Sequence, residues 1–139
     1  MSDIIYNEEN LELFSRLIKN NLSLDLIPKK WKTKNQFNPT FGHCHNASGC
    51  LYKIFGSKSV TMYRGLDEQG IYHWWVVDIN NKIIDLTAQQ YTDFGKIPPY
   101  DKGEKAGLLG FEYKKRVLRL YERVMKEYEG EKGLIECIK

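Results

Sequence analysis

Apolar residues recur at helical spacing in three stretches of the chain and crowd into short continuous runs between them. Leu11, Phe14, Leu17 and Ile18 follow the 3.6-residue period, and Asn7 before Glu8 and Glu9 supplies an N-cap with acids in the first turn. The pattern predicts a helix from there to about Asn20. Leu22 to Pro39 shows no period. It holds Pro28, Trp31 and the Asn38-Pro39 step, which disfavours helix before the proline, so this segment reads as irregular. Gly42 interrupts the chain ahead of a second predicted helix, Cys44 to Phe55, with Ala47, Leu51, Ile54 and Phe55 as its stripe and Gly56 to end it.

The period then changes. Val60 to Arg64 reads as a short strand, Leu66 to Gly70 as a polar turn, and Ile71 to Asp78 as a strand rich in aromatic and β-branched residues. Asn80-Asn81 marks a hairpin, since asparagine tolerates positive φ, and Ile83 to Thr87 is the return strand. Pro98, Pro99, Gly103 and Gly107 mark a long loop. Glu112 to Tyr128 closes the chain as a helix with Val117, Leu120, Tyr121, Val124 and Tyr128 inward. Helices segregated from an antiparallel meander make an α+β fold. Helices would pack on a small sheet, the Cys44 helix preceding the meander and a C-terminal helix following it.

Composition narrows the function classes. A length of 139 residues fits one domain, 1–139, and 42% hydrophobic with 28% charged residues describes an ordinary globular chain. Lys plus Arg number 21 against 18 Asp plus Glu, and a net charge of +3 gives no argument for nucleic acid. No apolar run approaches the roughly 18 residues of a membrane span. Met1-Ser2-Asp3 lacks a signal-peptide pattern, and three cysteines, an odd count, point to reduced thiols in the cytoplasm.

The densest chemistry lies in Gly42-His43-Cys44-His45, Tyr72-His73-Trp74-Trp75 and Ile84-Asp85-Leu86-Thr87. A thiol nucleophile needs a favoured thiolate, a base within reach, and a group that orients the base. Cys44 falls at the first turn of a helix, where the macrodipole favours an anion. His73 and Asp85 follow on neighbouring strands as base and orienter. The backbone N–H of Cys44 and an upstream amide would bind an oxyanion, Asn38 first and Gln36 in reserve. His43, Trp31, Trp74, Trp75 and Gln90 complete the expected pocket. The rival is zinc, for which His43, Cys44, His45 and His73 are competent ligands. Adjacent residues rarely converge on one ion, and no Cys-x-x-Cys or His-x-x-x-His pair occurs, so neither metal nor cofactor is expected. Cys50 and Cys137 read as structural or incidental, and Asp85 has a plainer reading as a turn cap. The Lys29 to Lys34 run reads as solvated loop, and Lys114-Lys115-Arg116 as the polar face of the last helix.

The Cys, His, Asp order with His73-Trp74-Trp75-Val76-Val77 and Asp85-Leu86-Thr87 resembles the transglutaminase-like core of the papain-like cysteine superfamily. More closely, Trp31, Asn38-Pro39, Gly42-His43-Cys44, Ala47-Ser48, His73-Trp74 and Asp85-Leu86-Thr87 with Gln90 resemble small bacterial and phage YunG-like proteins. The likeness covers about residues 27–94. It implies a fold and an acyl-transfer site: hydrolysis, deamidation or transamidation of an amide. The alternative is a binding or inhibitory protein whose aromatic pocket holds a small polar ligand or a partner without turnover.

One detail of backbone decides Asp85. A two-residue turn at Asn80-Asn81 pairs Asp85 with Val76 and turns it away from His73, because strand side chains alternate. A three-residue loop over Ile79 to Asn81, with Asn81 left-handed, pairs Asp85 with Trp75 and puts it on the His73 face.

Overall fold

The computed structural model describes residues 4–38, 40–107 and 111–138. Pro39, and with it half of the Asn38-Pro39 step, lies outside the described residues, as do Met1 to Asp3.

Helix α1 (Glu8–Asn20) begins as its N-cap predicts: the Asn7 side chain accepts a hydrogen bond from the Asn10 N–H at 2.7 Å. Its buried stripe is Leu11, Phe14, Leu17 and Ile18. The segment expected to be irregular instead forms two 3-10 turns and a short helix, α2 (Lys32–Phe37), which ends at Asn38. No apolar stripe announces α2, because none of its residues is buried. Gly42 takes φ +87°, a left-handed conformation, and a Cβ there would stand 3.0 Å from Ile27 Cγ2. That turn launches α3 (Cys44–Phe55), closed at Gly56.

Strands β1 (Val60–Leu66), β2 (Tyr72–Asp78), β3 (Ile83–Ile84) and β4 (Glu104–Lys105) form one antiparallel sheet in the order β3-β2-β1-β4. The fold is α+β, as the pattern predicts. Strand β1 runs two residues beyond the expected Arg64. The return strand is shorter than Ile83 to Thr87, because Asp85 turns the chain: its Oδ1 accepts the Thr87 N–H at 3.1 Å. A short helix, α4 (Gln89–Thr92), follows, and α5 (Phe111–Ile138) closes the described chain. Helix α5 continues well past the expected Tyr128; Val117, Leu120 and Val124 are buried as predicted, with Tyr121 and Tyr128 packed against them.

The two faces of the sheet are covered differently. Val60, Met62, Trp74, Val76 and Ile84 face the helical layer and share a core with Ala47, Leu51 and Ile54 of α3, Phe14 of α1 and Leu120 of α5. The other face carries Tyr63, Gly65, His73 and Trp75, and the segment Pro98 to Gly103 lies across it. That strap fits only because two positions lack a side chain. A Cβ on Gly65 would stand 2.7 Å from the Pro99 carbonyl oxygen, and one on Gly103 2.6 Å from Trp75 Cζ2.

Candidate functional site

The β2–β3 hairpin adopts the three-residue register. Val77 pairs with Ile83 and Val76 with Ile84, and Asn81 has φ +63°. Asp78 closes the loop, its Oδ1 accepting the N–H groups of Asn80 and Lys82 at 2.8 and 2.9 Å. This register turns Asp85 to the His73 side, and its Oδ2 lies 2.6 Å from His73 Nε2.

The carboxylate is fully engaged. Oδ2 also accepts the Tyr100 hydroxyl at 2.8 Å, while Oδ1 takes the Thr87 backbone N–H. Asp85 is therefore both turn cap and imidazole partner. The two roles use different oxygens and do not compete.

His73 is fully buried. The edge of the Tyr91 ring packs on it, centroids 4.8 Å apart, and Trp75 lies tilted against it at 5.8 Å. Tyr91 is fixed in turn by a 2.8 Å hydrogen bond from its hydroxyl to Asp67 Oδ2, in the β1–β2 turn. Burial opposes the charged imidazole, but the hydrogen bond to Asp85, the neighbouring Cys44 thiol and the charges of both outweigh it, raising the His73 pKa to about 9. The imidazolium is the form present at neutral pH.

Cys44 opens α3, as its sequence context predicts, with His43 at the N-cap position. The sulfur lies 4.0 Å from the Tyr72 carbonyl oxygen, at the start of β2 where the helical layer meets the end of the sheet. There the thiol lies near enough to the His73 ring to favour its charged form. Nε2 is taken by Asp85, and Nδ1 is buried with no hydrogen-bond partner. Cys44 is 7% exposed. Cys50, deeper in the same helix, is completely buried, and burial pushes its thiol well above the ordinary value.

The remaining expected site residues divide. Asn38 ends α2 and donates from Nδ2 to the backbone oxygen of Gln90 at 2.8 Å, joining α2 to α4. Gln36 is exposed on α2 and does not join them. His43 and His45 are buried, and burial lowers both pKa values to about 4, so both are neutral beside the charged His73. His45 stacks edge-on against Trp74 at 4.6 Å.

The tryptophans do not line the groove beside the site. Trp74 points into the helical core, and Trp75 is buried under the strap against Tyr100 and Tyr63. Trp31 packs on Phe41 with Lys30 and Lys34 over its ring. Alternation along β2 sends neighbouring tryptophans to opposite faces, and both faces are covered. That groove, of about 1150 Å³, is walled by Phe37, Phe41, Phe94, Ile97 and Pro98, with Asn38, Gln90, Tyr91 and Tyr100 toward the site. Neither Cys44 nor His73 lines it; Tyr91 and Tyr100 form the wall between.

The sequence reading missed Tyr91, Tyr100, Gly65 and Gly103. For Tyr100 and Gly103 the signal is the long proline- and glycine-punctuated loop; Tyr91 and Gly65 carry none. Among the described residues, no three His, Cys, Asp or Glu side chains are grouped to hold a metal ion, and no helix is long and apolar enough to cross a membrane.

The family model described as YunG protein matches residues 10–129. No curated protein and no solved structure matches the chain.

Proposed function

Because the chain belongs to the YunG family, whose match spans both the Cys44 helix and the hairpin, we propose that the family carries a Cys44-His73-Asp85 acyl-transfer site of papain-like or transglutaminase-like type. The observation that carries this reading is the buried His73 imidazole, held by Asp85 on Nε2 and unpartnered on Nδ1, with the Cys44 thiol near enough to act on the ring.

In this reading the Cys44 thiolate attacks the carbonyl carbon of an amide. The C–S bond forms, the C–N bond breaks, and the His73 imidazolium gives its proton to the departing amine. Neutral His73 then takes a proton from water, or from an acceptor amine, as that group attacks the thioester and expels Cys44. Asp85 keeps the ring in place and stabilises its charged form. Helix first-turn N–H groups lack intrahelical partners, so the α3 start offers donors to the tetrahedral oxyanion. Asn38 has one amide hydrogen left beyond its bond to Gln90. The reaction asks for no cofactor.

Intact-protein mass spectrometry with p-nitrophenyl acetate tests the reading. One acetyl group on Cys44, formed in a burst and lost on standing, is expected in the native chain and not in Cys44→Ala or His73→Ala. Acetylation spread over lysines at the same rate in all three proteins contradicts it.

A specific observation favours a second reading. Cys44 is 7% exposed and stands behind the groove wall, a placement suited to a protein that binds a partner or polar ligand without turning it over. In that case the groove is the functional surface and the buried cluster is its support.

A further inference from the structure

We propose that the groove beside Tyr91 and Tyr100 seats an extended polypeptide segment through bulky apolar side chains. That this segment is the amide substrate of Cys44 rests on the acyl-transfer reading; the docking itself does not.

The apolar surface is concentrated rather than scattered. Phe37 is 78% exposed, Phe94 54% and Ile97 86%, and all three line the same groove. Exposed apolar residues gathered at one concave place mark an interaction site. Their exposure also means that they contribute little to the folded core.

Size admits a chain segment. A volume of about 1150 Å³ exceeds the roughly 300–1,000 Å³ usual for small-molecule pockets. The charges separate it from an anionic polymer or lipid headgroup. Lys34, Lys96 and Lys102 are matched by Asp67, Glu68 and Asp101 along the lining, so no single sign dominates. Hydrogen bonding separates it from an acyl chain. Two amide oxygens in the groove wall, Asn38 Oδ1 and Gln90 Oε1, are shielded from water and have no partner. A peptide backbone brings N–H donors to such acceptors once either amide turns outward; a hydrocarbon brings none.

Position links the groove to the chemistry. Tyr91 faces the groove and packs its ring edge on His73. Tyr100 faces it and holds Asp85. A segment in the groove therefore presses on both side chains that fix the imidazole.

The test uses the full chain with Cys44→Ala, so that binding is read without turnover. The protein is immobilised and exposed to a randomised library of acetylated, amidated hexapeptides, and the retained peptides are sequenced by mass spectrometry. Enrichment of Phe, Leu, Ile, Tyr and Trp is expected, and Phe94→Asp or Ile97→Asp should weaken the retained peptides about tenfold, as loss of one buried apolar contact does. Both positions are exposed, so these variants keep the fold; circular dichroism verifies it. A retained pool of input composition, or retention indifferent to both substitutions, overturns the proposal. So does self-association or uptake onto phosphatidylcholine vesicles that Ile97→Asp abolishes while peptide retention is absent. Apolar-selective retention by a chain that never acetylates Cys44 leaves docking standing and removes only the acyl-transfer reading.

Discussion

The Tyr100 hydroxyl lies 2.8 Å from Asp85 Oδ2, the same oxygen that His73 Nε2 contacts at 2.6 Å. Two donors from different parts of the chain converge on one carboxylate oxygen, so the strap that carries Tyr100 helps set the charge on the imidazole.

Tyr100→Phe removes one donor without removing the ring that packs on Trp75. Asp85 then gives more of its charge to His73, and the imidazole pKa should rise above about 9. The loss of a hydrogen bond to a charged group should lower stability by about 1.5–3 kcal/mol. Imidazole NMR titration and urea unfolding read the two effects. An unchanged His73 titration would show that the Tyr100 contact does not act on the ring.

Gly103→Ala should displace the strap. A Cβ 2.6 Å from Trp75 Cζ2 cannot be accommodated without movement of the ring or the backbone. Overpacking of this kind costs about 1–3 kcal/mol. The shift in Trp75 fluorescence and the loss in urea midpoint should appear together; a neutral substitution would mean that the strap is not seated on Trp75.

Asn81→Val tests the register. A β-branched residue in the left-handed region costs about 1–2 kcal/mol, whereas Asn81→Gly relieves the restriction. The valine variant should unfold at lower urea and lose part of the His73–Asp85 coupling, seen as a fall in imidazole pKa. Equal stability of the valine and glycine variants would contradict the three-residue loop.

These elements differ in how far the sequence announces them. The N-cap at Asn7, the stripe of α1 and the start of α3 at Cys44 are local, and the local pattern is enough to read them. The hairpin offers two registers that differ by one residue. Only the tertiary partners of Asp85 select between them, although Asn81 is the residue that makes the productive one accessible. The groove is illegible for another reason. Its walls come from α2, the β1–β2 turn and the loop after α4, and no period links them. Trp74, Trp75 and Trp31 drew attention by size, yet each is used for packing. Gly103 reads in sequence as loop punctuation and Gly65 carries no signal, yet both serve for close approach across the sheet.

Stability should peak near pH 6.5. His73 has a folded pKa of about 9 against about 6.5 free, so its contribution is full below pH 6.5 and is lost as pH rises through 9. His43 and His45 have folded values of about 4, so their contribution is present above pH 6.5 and is lost as pH falls through 4. Thermal unfolding from pH 4.5 to 9.5 should trace a dome, and His73→Gln should flatten its alkaline side only. A monotonic rise in stability to pH 9 would contradict the charged state assigned to His73.

The most direct measurement of the central claim is the alkylation order of the three cysteines. The native chain is treated with limiting iodoacetamide at pH 6, and modification at Cys44, Cys50 and Cys137 is followed by peptide mass spectrometry. Cys50 is completely buried with its thiol pushed up, and Cys137 is exposed near the end of α5. If Cys44 is the nucleophile and His73 its partner, Cys44 reacts first despite its 7% exposure, and His73→Ala slows it about tenfold, as loss of a cationic partner does for a reactive thiol. Cys137 reacting first, or a Cys44 rate indifferent to His73, would contradict the account.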